Sequence, residues 1–301
     1  MQIQSDIQDV IVVGAGPAGL TAAIYFGRFR RRCLVLEDGL SRARWIPTSH
    51  NIPGFIAGVG GEEFLRTLRE QAVKYGAQVR REHVSELSVN DGVFVVRTEG
   101  ETLYGRYILL ATGVRDRLPD IEGAADAVMR SLLRFCPICD AYEALDKRIA
   151  VIGDGAAGER EAEFLSDYSD QVTLLHIGSP NVPSSATTLG SHGVERIAAR
   201  ISDLTIHKDR VTLSSGQGAR EFDVVYIALG CSAQHDLARS LSAVCDEHGA
   251  LRVNAHQETS VPGLYAAGDV VRGLSQVVVA AAESAIAATD IHNKLRGVSR
   301  S

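Results

Sequence analysis

Two of the chain's five cysteines, Cys136 and Cys139, stand one helical turn apart in RFCPICDAYE. That spacing allows a disulfide at a helix start, where the helix dipole also lowers a thiol pKa. Pro137 suits the first turn of such a helix. Asp140 follows the second cysteine, where a carboxyl can shuttle the proton of thiol–disulfide exchange, since the attacking species is a thiolate. The alternatives are half of a zinc site and a pair of inert core thiols. Cys33, Cys231 and Cys245 supply no second Cys-x-x-Cys to complete four ligands, so no metal is expected and redox chemistry is preferred. Cys33 falls in a strand and is assigned to the core; burial is the default for Cys231 and Cys245, which receive no role.

Glycine turns are the second chemical feature. Gly14, Gly16 and Gly19 fit G-x-G-x-x-G between an apolar run and a helical one, DVIVVGAGPAGLTAAIYFGRF from Asp9. Such a turn lets the backbone approach a pyrophosphate and aims a helix N-terminus at it. Glu37 ends the next strand, CLVLE, where a carboxylate accepts hydrogen bonds from an adenosine ribose. The reading is a dinucleotide site; the alternative is a tight turn that holds nothing.

A second turn, Gly153, Gly155 and Gly158, has the same frame in poorer surroundings. Asp154 lies inside it, and Glu159, Glu161, Glu163, Asp167 and Asp170 follow. From Ile149 to Glu195 the sole Lys or Arg is Arg160. At the end of the following strand, where an acid selects a free ribose and an arginine a 2′-phosphate, the chain reads His176-Ile177-Gly178-Ser179. A nicotinamide site and a retained but vacant or altered scaffold both stay open here.

These residues need strands and helices to hold them. The strand, turn and helix from Asp9, the strand at 33–37, a helix at about 61–76 and strands near 78–81, 84–89, 92–97 and 102–111 make one βαβ-based unit. The pattern restarts over 148–177, strands follow near 210–214 and 222–229, and a helix runs from about 275 to 295. The fold class is α/β, with two related nucleotide-fold openings.

Composition agrees with a soluble globular protein of about two domains. The chain has 301 residues, 45% hydrophobic and 23% charged, with Gly 29 against Pro 8, which excludes disordered, collagenous and low-complexity classes. Lys plus Arg number 31 against 37 for Asp plus Glu, a net charge of −6 that gives no reason to expect nucleic acid or an anionic membrane. With no apolar span, no basic leader and few cysteines, the expected location is the cytoplasm.

In order along the chain, GAGPAG, HNIPGF, LLATG, CPICD, a second GxGxxG and GLYAAGDV resemble the low-molecular-weight thioredoxin reductase family over nearly the whole length. The resemblance implies two Rossmann-like, three-layer ββα domains, the second inserted in the first. Residues 1–116 and 244–301 would bind FAD, and 117–243 would form an NAD(P)H-like domain carrying the CPIC pair. It also implies a homodimer and thioredoxin or a similar disulfide protein as partner. Gly14, Gly16, Gly19 and Glu37 would hold the adenosine diphosphate part of FAD, Asn51 would sit near the isoalloxazine, Asp269 would bind the ribityl chain, and Gln276 and Val277 would approach the ring. A helix beginning near Ser275 would aim its positive end at the ring and favour the anionic reduced flavin. Cys139 would face the flavin and Cys136 the substrate, with short hinges near 114–118 and 242–246 letting the inserted domain turn.

The chain also departs from the family pattern. Ile177 and Gly178 stand where an arginine pair for the NADPH 2′-phosphate is usual, Arg160 replaces a glutamate, Ala141 replaces a glycine, and Ser275-Gln276 replaces Arg-Gln. The whole resembles divergent members that lack the NADPH signature, so NAD(P)H is disfavoured as donor and a ferredoxin-like protein is a candidate. The leading expectation is an FAD-dependent dithiol–disulfide oxidoreductase. The alternatives are a dithiol oxidase that uses oxygen and a non-catalytic flavin redox sensor. Of the smaller features, Arg28, Arg30, Arg31 and Arg32 read as a solvated helix end, His50 as a hydrogen-bonding loop residue with a lesser case for catalysis, and Trp45 and Tyr142 as packing residues.

Overall fold

The computed structural model describes residues 7–177, 187–189, 193–215, 218–271 and 273–298. The chain begins with β1 (Gln8–Val13), α1 (Pro17–Arg28), β2 (Cys33–Glu37), α2 (Gly61–Lys74), β3 (Gln78–Arg81), β4 (Val84–Asn90), β5 (Val93–Thr98) and β6 (Thr102–Leu110). There follow β7 (Val114–Asp116), α3 (Ala124–Met129), β8 (Leu133–Arg134), α4 (Pro137–Asp140), β9 (Ile149–Gly153), α5 (Gly155–Leu165) and β10 (Val172–His176). Then come β11 (Thr187–Leu189), β12 (Val194–Ala198), β13 (Leu204–Ile206), β14 (Val211–Ser215), β15 (Gly218–Phe222) and β16 (Val224–Ala228). The last elements are β17 (Cys231–Ala233), α6 (Asp236–Ser240), β18 (Leu264–Ala266) and α7 (Val277–Leu295). The class is α/β, as the two strand–turn–helix openings require.

The described residues fall into two compact units, the first within 7–44, 61–115 and 232–298, the second within 45–60 and 116–231. In the first unit the sheet order is β3-β2-β1-β6-β5-β4, with β18 also paired to β6. Strand β1 runs parallel to β2 and β6, while β5 is antiparallel to both β4 and β6. Every second residue of β1 faces the same way: Val10 and Val12 pack with Leu20, Ala72 and Ile291 from α1, α2 and α7, whereas Ile11 and Val13 pack with Leu87, Phe94 and Leu264. Strands buried on both faces need continuous apolar runs, which is why VIVV and LVL read as they do.

The second unit repeats the plan with the order β11-β12-β10-β9-β16-β8, beside a three-stranded antiparallel sheet β13-β14-β15. Ala150 and Ile152 of β9 face α3 and the small sheet, and Ile149 and Val151 face α5. Residues 232–243, which the sequence reading places with the inserted domain, pack in the first unit. Ala238 and Ala243 are buried there with Leu87 and Leu251, because α6 lays its small apolar side chains on β4. No helix among the described residues is long and apolar enough to cross a membrane.

Close approach explains the first glycine turn. A Cβ on Gly14, at φ 106°, would lie 2.2 Å from the Ala111 carbonyl oxygen, and one on Gly19 would lie 1.8 Å from the Gly14 oxygen. Gly16 differs: its Cβ would meet only Ser41 Oγ, at 3.3 Å. Gly19→Ala is therefore expected to lower the unfolding free energy by ~3 kcal/mol, and Gly16→Ala by less than ~1 kcal/mol, in urea unfolding followed by circular dichroism.

Candidate active site

Cys136 and Cys139 form a disulfide with a Cα–Cα separation of 5.2 Å. Cys136 is extended and precedes α4, Pro137 occupies the first helical position, and the Cys139 N–H donates to the Cys136 carbonyl at 2.9 Å. Proline's fixed φ and missing N–H suit that position, so the local sequence itself closes the turn that brings the sulfurs together. Both cysteines are partly accessible, and Ile138 between them is exposed.

Behind the pair lies a polar cluster carried by β8 and β16. Tyr226 on β16 and Arg134 on β8 sit directly across from each other in parallel register, and both are buried. The Tyr226 hydroxyl lies 2.9 Å from Asp140 Oδ1, to which it donates, and 3.1 Å from the Asp140 carbonyl oxygen. Arg134 Nη1 donates to that carbonyl at 2.7 Å and to Tyr226 Oη at 3.3 Å, its Nε donates to the Ser131 carbonyl at 3.1 Å, and Asp140 Oδ1 lies 3.8 Å from Nη1. Burial pushes the Asp140 carboxyl up to about 6, against the pull of Arg134 and the Tyr226 hydrogen bond, with Glu143 adding a smaller upward push. Burial likewise raises Tyr226 far above the usual phenol value, which keeps its hydroxyl a donor.

His50 Nδ1 pairs with Glu143 Oε1 at 3.1 Å, so the HNIPGF loop is tied to the residues after CPICD within the second unit. The ring lies over Gly58, whose Cβ would stand 2.5 Å from His50 Cδ2. Asn51 accepts a hydrogen bond from Ser49 Oγ at 2.9 Å. The expectation that Trp45 and Tyr142 are packing residues does not hold: they are 41% and 73% exposed, because the 3-10 turns that carry them bury Ala43 and Ala144 instead. Cys231 is exposed as well, on the short strand β17, whereas Cys33 is buried and its thiol is pushed well above the ordinary value by desolvation.

In the first unit the glycine turn follows β1, Glu37 ends β2, Asp269 follows β18, and Gln276 and Val277 open α7. Gly14 donates its N–H to the Leu36 carbonyl at 2.8 Å, and the open side of Gly16 leaves a cradle that a side chain would fill, which fits a pyrophosphate. Glu37 is ion-paired with Arg69, an interaction that leaves carboxylate lone pairs for a ribose. Gly268 is wedged between Ala18 of α1 and Ala280 of α7 and donates its N–H to Glu283 at 2.7 Å. The next residue, Asp269, meets Arg42 at 3.1 Å. Gln276 is the extended residue that opens α7, so the helix starts two residues after Ser275 and its N-terminus lies at Val277.

The second turn also keeps close glycines, with a Gly153 Cβ only 2.9 Å from Gly158 Cα. Its surface is acidic: Asp154 is exposed and makes no capping hydrogen bond, and Glu161, pushed up to about 7 by burial, has a buried Oε2 without a partner. Arg196, which reaches the end of β10, is paired to Glu159 at 3.2 Å and lies 3.4 Å from His176 Nδ1. Gly178 and Ser179 lie outside the described residues. No metal-binding cluster of His, Cys, Asp and Glu occurs among the described residues.

A disulfide carried just ahead of the second of two glycine-turn Rossmann folds defines a disulfide oxidoreductase. A family model, pyridine nucleotide-disulphide oxidoreductase, matches residues 8–284. The thioredoxin reductase of Mycolicibacterium smegmatis is 30% identical, over 96% of this chain and 96% of its own. A bifunctional thioredoxin reductase/thioredoxin of Mycobacterium leprae is also 30% identical, over 94% of this chain and 65% of its own longer one. The crystal structure of thioredoxin reductase from Streptococcus pyogenes shares the fold, with a TM-score of 0.86 at 22% identity over 97% of this chain and 99% of that one. The chain belongs to the thioredoxin reductase family of these oxidoreductases, in its low-molecular-weight form, and is an enzyme of that kind.

Arg134, Tyr226, Glu143, Arg42 and Glu283 complete the two clusters and escaped the sequence reading. The available signal was a lone arginine in SLLRF and a lone tyrosine in VVYIA, each a polar residue in a run that reads as fully buried strand.

The raised Asp140 value has a consequence for stability. A carboxyl at about 6 in the fold against its ordinary value of 3.8 binds its proton more tightly when folded, so its contribution is full below about 3.8 and is lost as pH rises through about 6. Compared with Asp140→Asn, the wild-type protein should lose ~2 kcal/mol of unfolding free energy between pH 4 and pH 7, read from urea midpoints across that range.

Proposed function

We propose that this enzyme is an FAD-dependent dithiol–disulfide oxidoreductase that passes an electron pair between flavin and a protein disulfide through Cys136 and Cys139. The observation that carries the reading is the CPIC disulfide followed at once by a half-buried carboxyl with a value near neutrality. The first unit, with Gly14, Gly16, Gly19, Glu37 and Asp269, is the FAD domain, and the second carries the redox pair. Asn51, Gln276 and Val277 are assigned to the flavin ring. FAD, when bound, supplies the two electrons that open the disulfide.

The rest of the chemistry belongs to the chain. Asp140 protonates a thiolate as the disulfide opens and later accepts the proton of the attacking thiol. Cys136 attacks the partner disulfide, Cys139 displaces the partner's second thiol from the mixed disulfide, and the products are a partner dithiol and a restored Cys136–Cys139 bond. Thioredoxin or a protein like it is the proposed partner. The fusion of reductase to thioredoxin in the Mycobacterium leprae relative supports that choice. We propose a cytoplasmic homodimer.

The electron donor is proposed to be something other than NADPH, a ferredoxin-like protein being one candidate. Gly153, Gly155 and Gly158 keep the turn, but Ile177 offers no cation for a 2′-phosphate, and Arg196 is engaged by Glu159. The same observations favour a second reading, a dithiol oxidase delivering electrons to oxygen, since it needs no nicotinamide site.

Anaerobic titration of the FAD-loaded protein with NADPH, NADH and a small dithiol, followed at the flavin visible band, separates these readings. Bleaching by dithiol and not by NADPH is expected, and Cys139→Ser should abolish it. Rapid bleaching by NADPH would overturn the donor assignment. Stoichiometric peroxide from dithiol in air would select the oxidase.

A further inference from the structure

Arg134 and Tyr226 have no evident reason to be polar if the sheet alone is considered. Strand β16 is buried along its whole length, and β8 is buried too; the side chains of the other fully buried strands are mostly those of Val, Ile, Leu and Ala, the exceptions being Thr173 and His176 of β10 and Tyr265 of β18. A buried guanidinium is costly unless its donors are satisfied. Arg134 directs its donors to the carbonyls of Ser131 and Asp140 and to the Tyr226 oxygen, and Tyr226 in turn directs its hydroxyl to Asp140. Both side chains therefore converge on one residue, the last of the four-residue α4.

We propose that Arg134 and Tyr226 are positioning residues of the thiol–disulfide reaction, fixing the Asp140 main chain and carboxyl beside the Cys136–Cys139 pair so that this carboxyl exchanges protons with the sulfurs. The inference rests on the assignment of Asp140 as the proton carrier and adds how it is held. The main-chain part works through the Asp140 carbonyl, a helix-terminal acceptor with no partner inside α4; Arg134 supplies one at 2.7 Å. The carboxyl part works through Tyr226 at 2.9 Å.

The groups acting on the carboxyl are Arg134 from β8, Tyr226 from β16 and Glu143 from the following turn, the last ion-paired with His50; none of the charged side chains of α5, which packs against α4, is among them. Arg134 and Tyr226 favour the ionised form and oppose burial. Removing either one moves the carboxyl further upward.

The test uses the FAD-loaded protein, reduced anaerobically with excess dithiol and desalted. Alkylation of Cys136 and Cys139 by iodoacetamide is then followed by mass spectrometry from pH 4.5 to 8. The wild-type rate should show a step near pH 6 as Asp140 ionises. Tyr226→Phe keeps the ring volume and should move that step upward by about 0.5–1 pH unit. Arg134→Gln, which removes the cation, should move it in the same direction and serves if the phenylalanine variant fails to fold. Asp140→Asn should abolish the step. If the step survives in Asp140→Asn, the proton-carrier assignment itself fails. If Asp140→Asn loses the step while a folded Tyr226→Phe or Arg134→Gln protein keeps it at the wild-type pH, the positioning role alone is overturned, and the two residues are merely packed.

Discussion

Parallel strands covered on both faces set the terms for everything else in this protein. Such a strand offers no exposed side for chemistry, so polar function is pushed to the strand ends, where the chain must turn before the covering helix begins. Strand β1 ends at Val13 and hands over to the first glycine turn, β2 ends at Glu37, β9 ends in Gly153 of the second turn, and β10 ends at His176. The helices that follow the turns are held by the same apolar faces that bury the strands, so the glycine turns are rigid because the core is.

The turn that carries the Cys136–Cys139 disulfide is the exception to that rule. It does not continue a long strand; α4 is four residues long and follows the two-residue strand β8. Apolar packing over so short a stretch is limited to a few side chains, Pro137 and Ala141 among them. Hydrogen bonds from inside the sheet take over the task, and their geometry is stricter than that of packing. The result is a carboxyl held between burial, which favours the acid, and two donors, which favour the base.

Much of this was legible in the residues. Strand, turn and helix over 9–29 and 148–165 followed from a β-branched run, glycines and apolar residues at helical spacing, and the CPIC pair announced itself by spacing. What stayed hidden depended on contacts distant in sequence. Tyr226 lies 86 residues from Asp140, and no local pattern tells a tyrosine that fills a core from one that also donates to a carboxyl. Arg196 was invisible as the cation near β10 because β12 pairs with β10 only in three dimensions. The return of the chain to the first unit at Ser232 was misjudged by about a dozen residues, since α6 is short and its burial of Ala238 rests on β4, far upstream.

The five cysteine sulfurs occupy three chemical environments, and that partition turns the thiol inventory into a reporter of state. Two are locked in the disulfide, Cys231 and Cys245 are reachable from solvent to different degrees, and Cys33 is sealed in the core with its thiolate strongly disfavoured. A colourimetric thiol reagent thus counts opening of the Cys136–Cys139 disulfide as a gain of one pair of reactive sulfurs over the native background. The appearance of the last one, Cys33, marks loss of the packing between β2 and the α1 face, so disulfide opening and unfolding register as separate increments in a single titration.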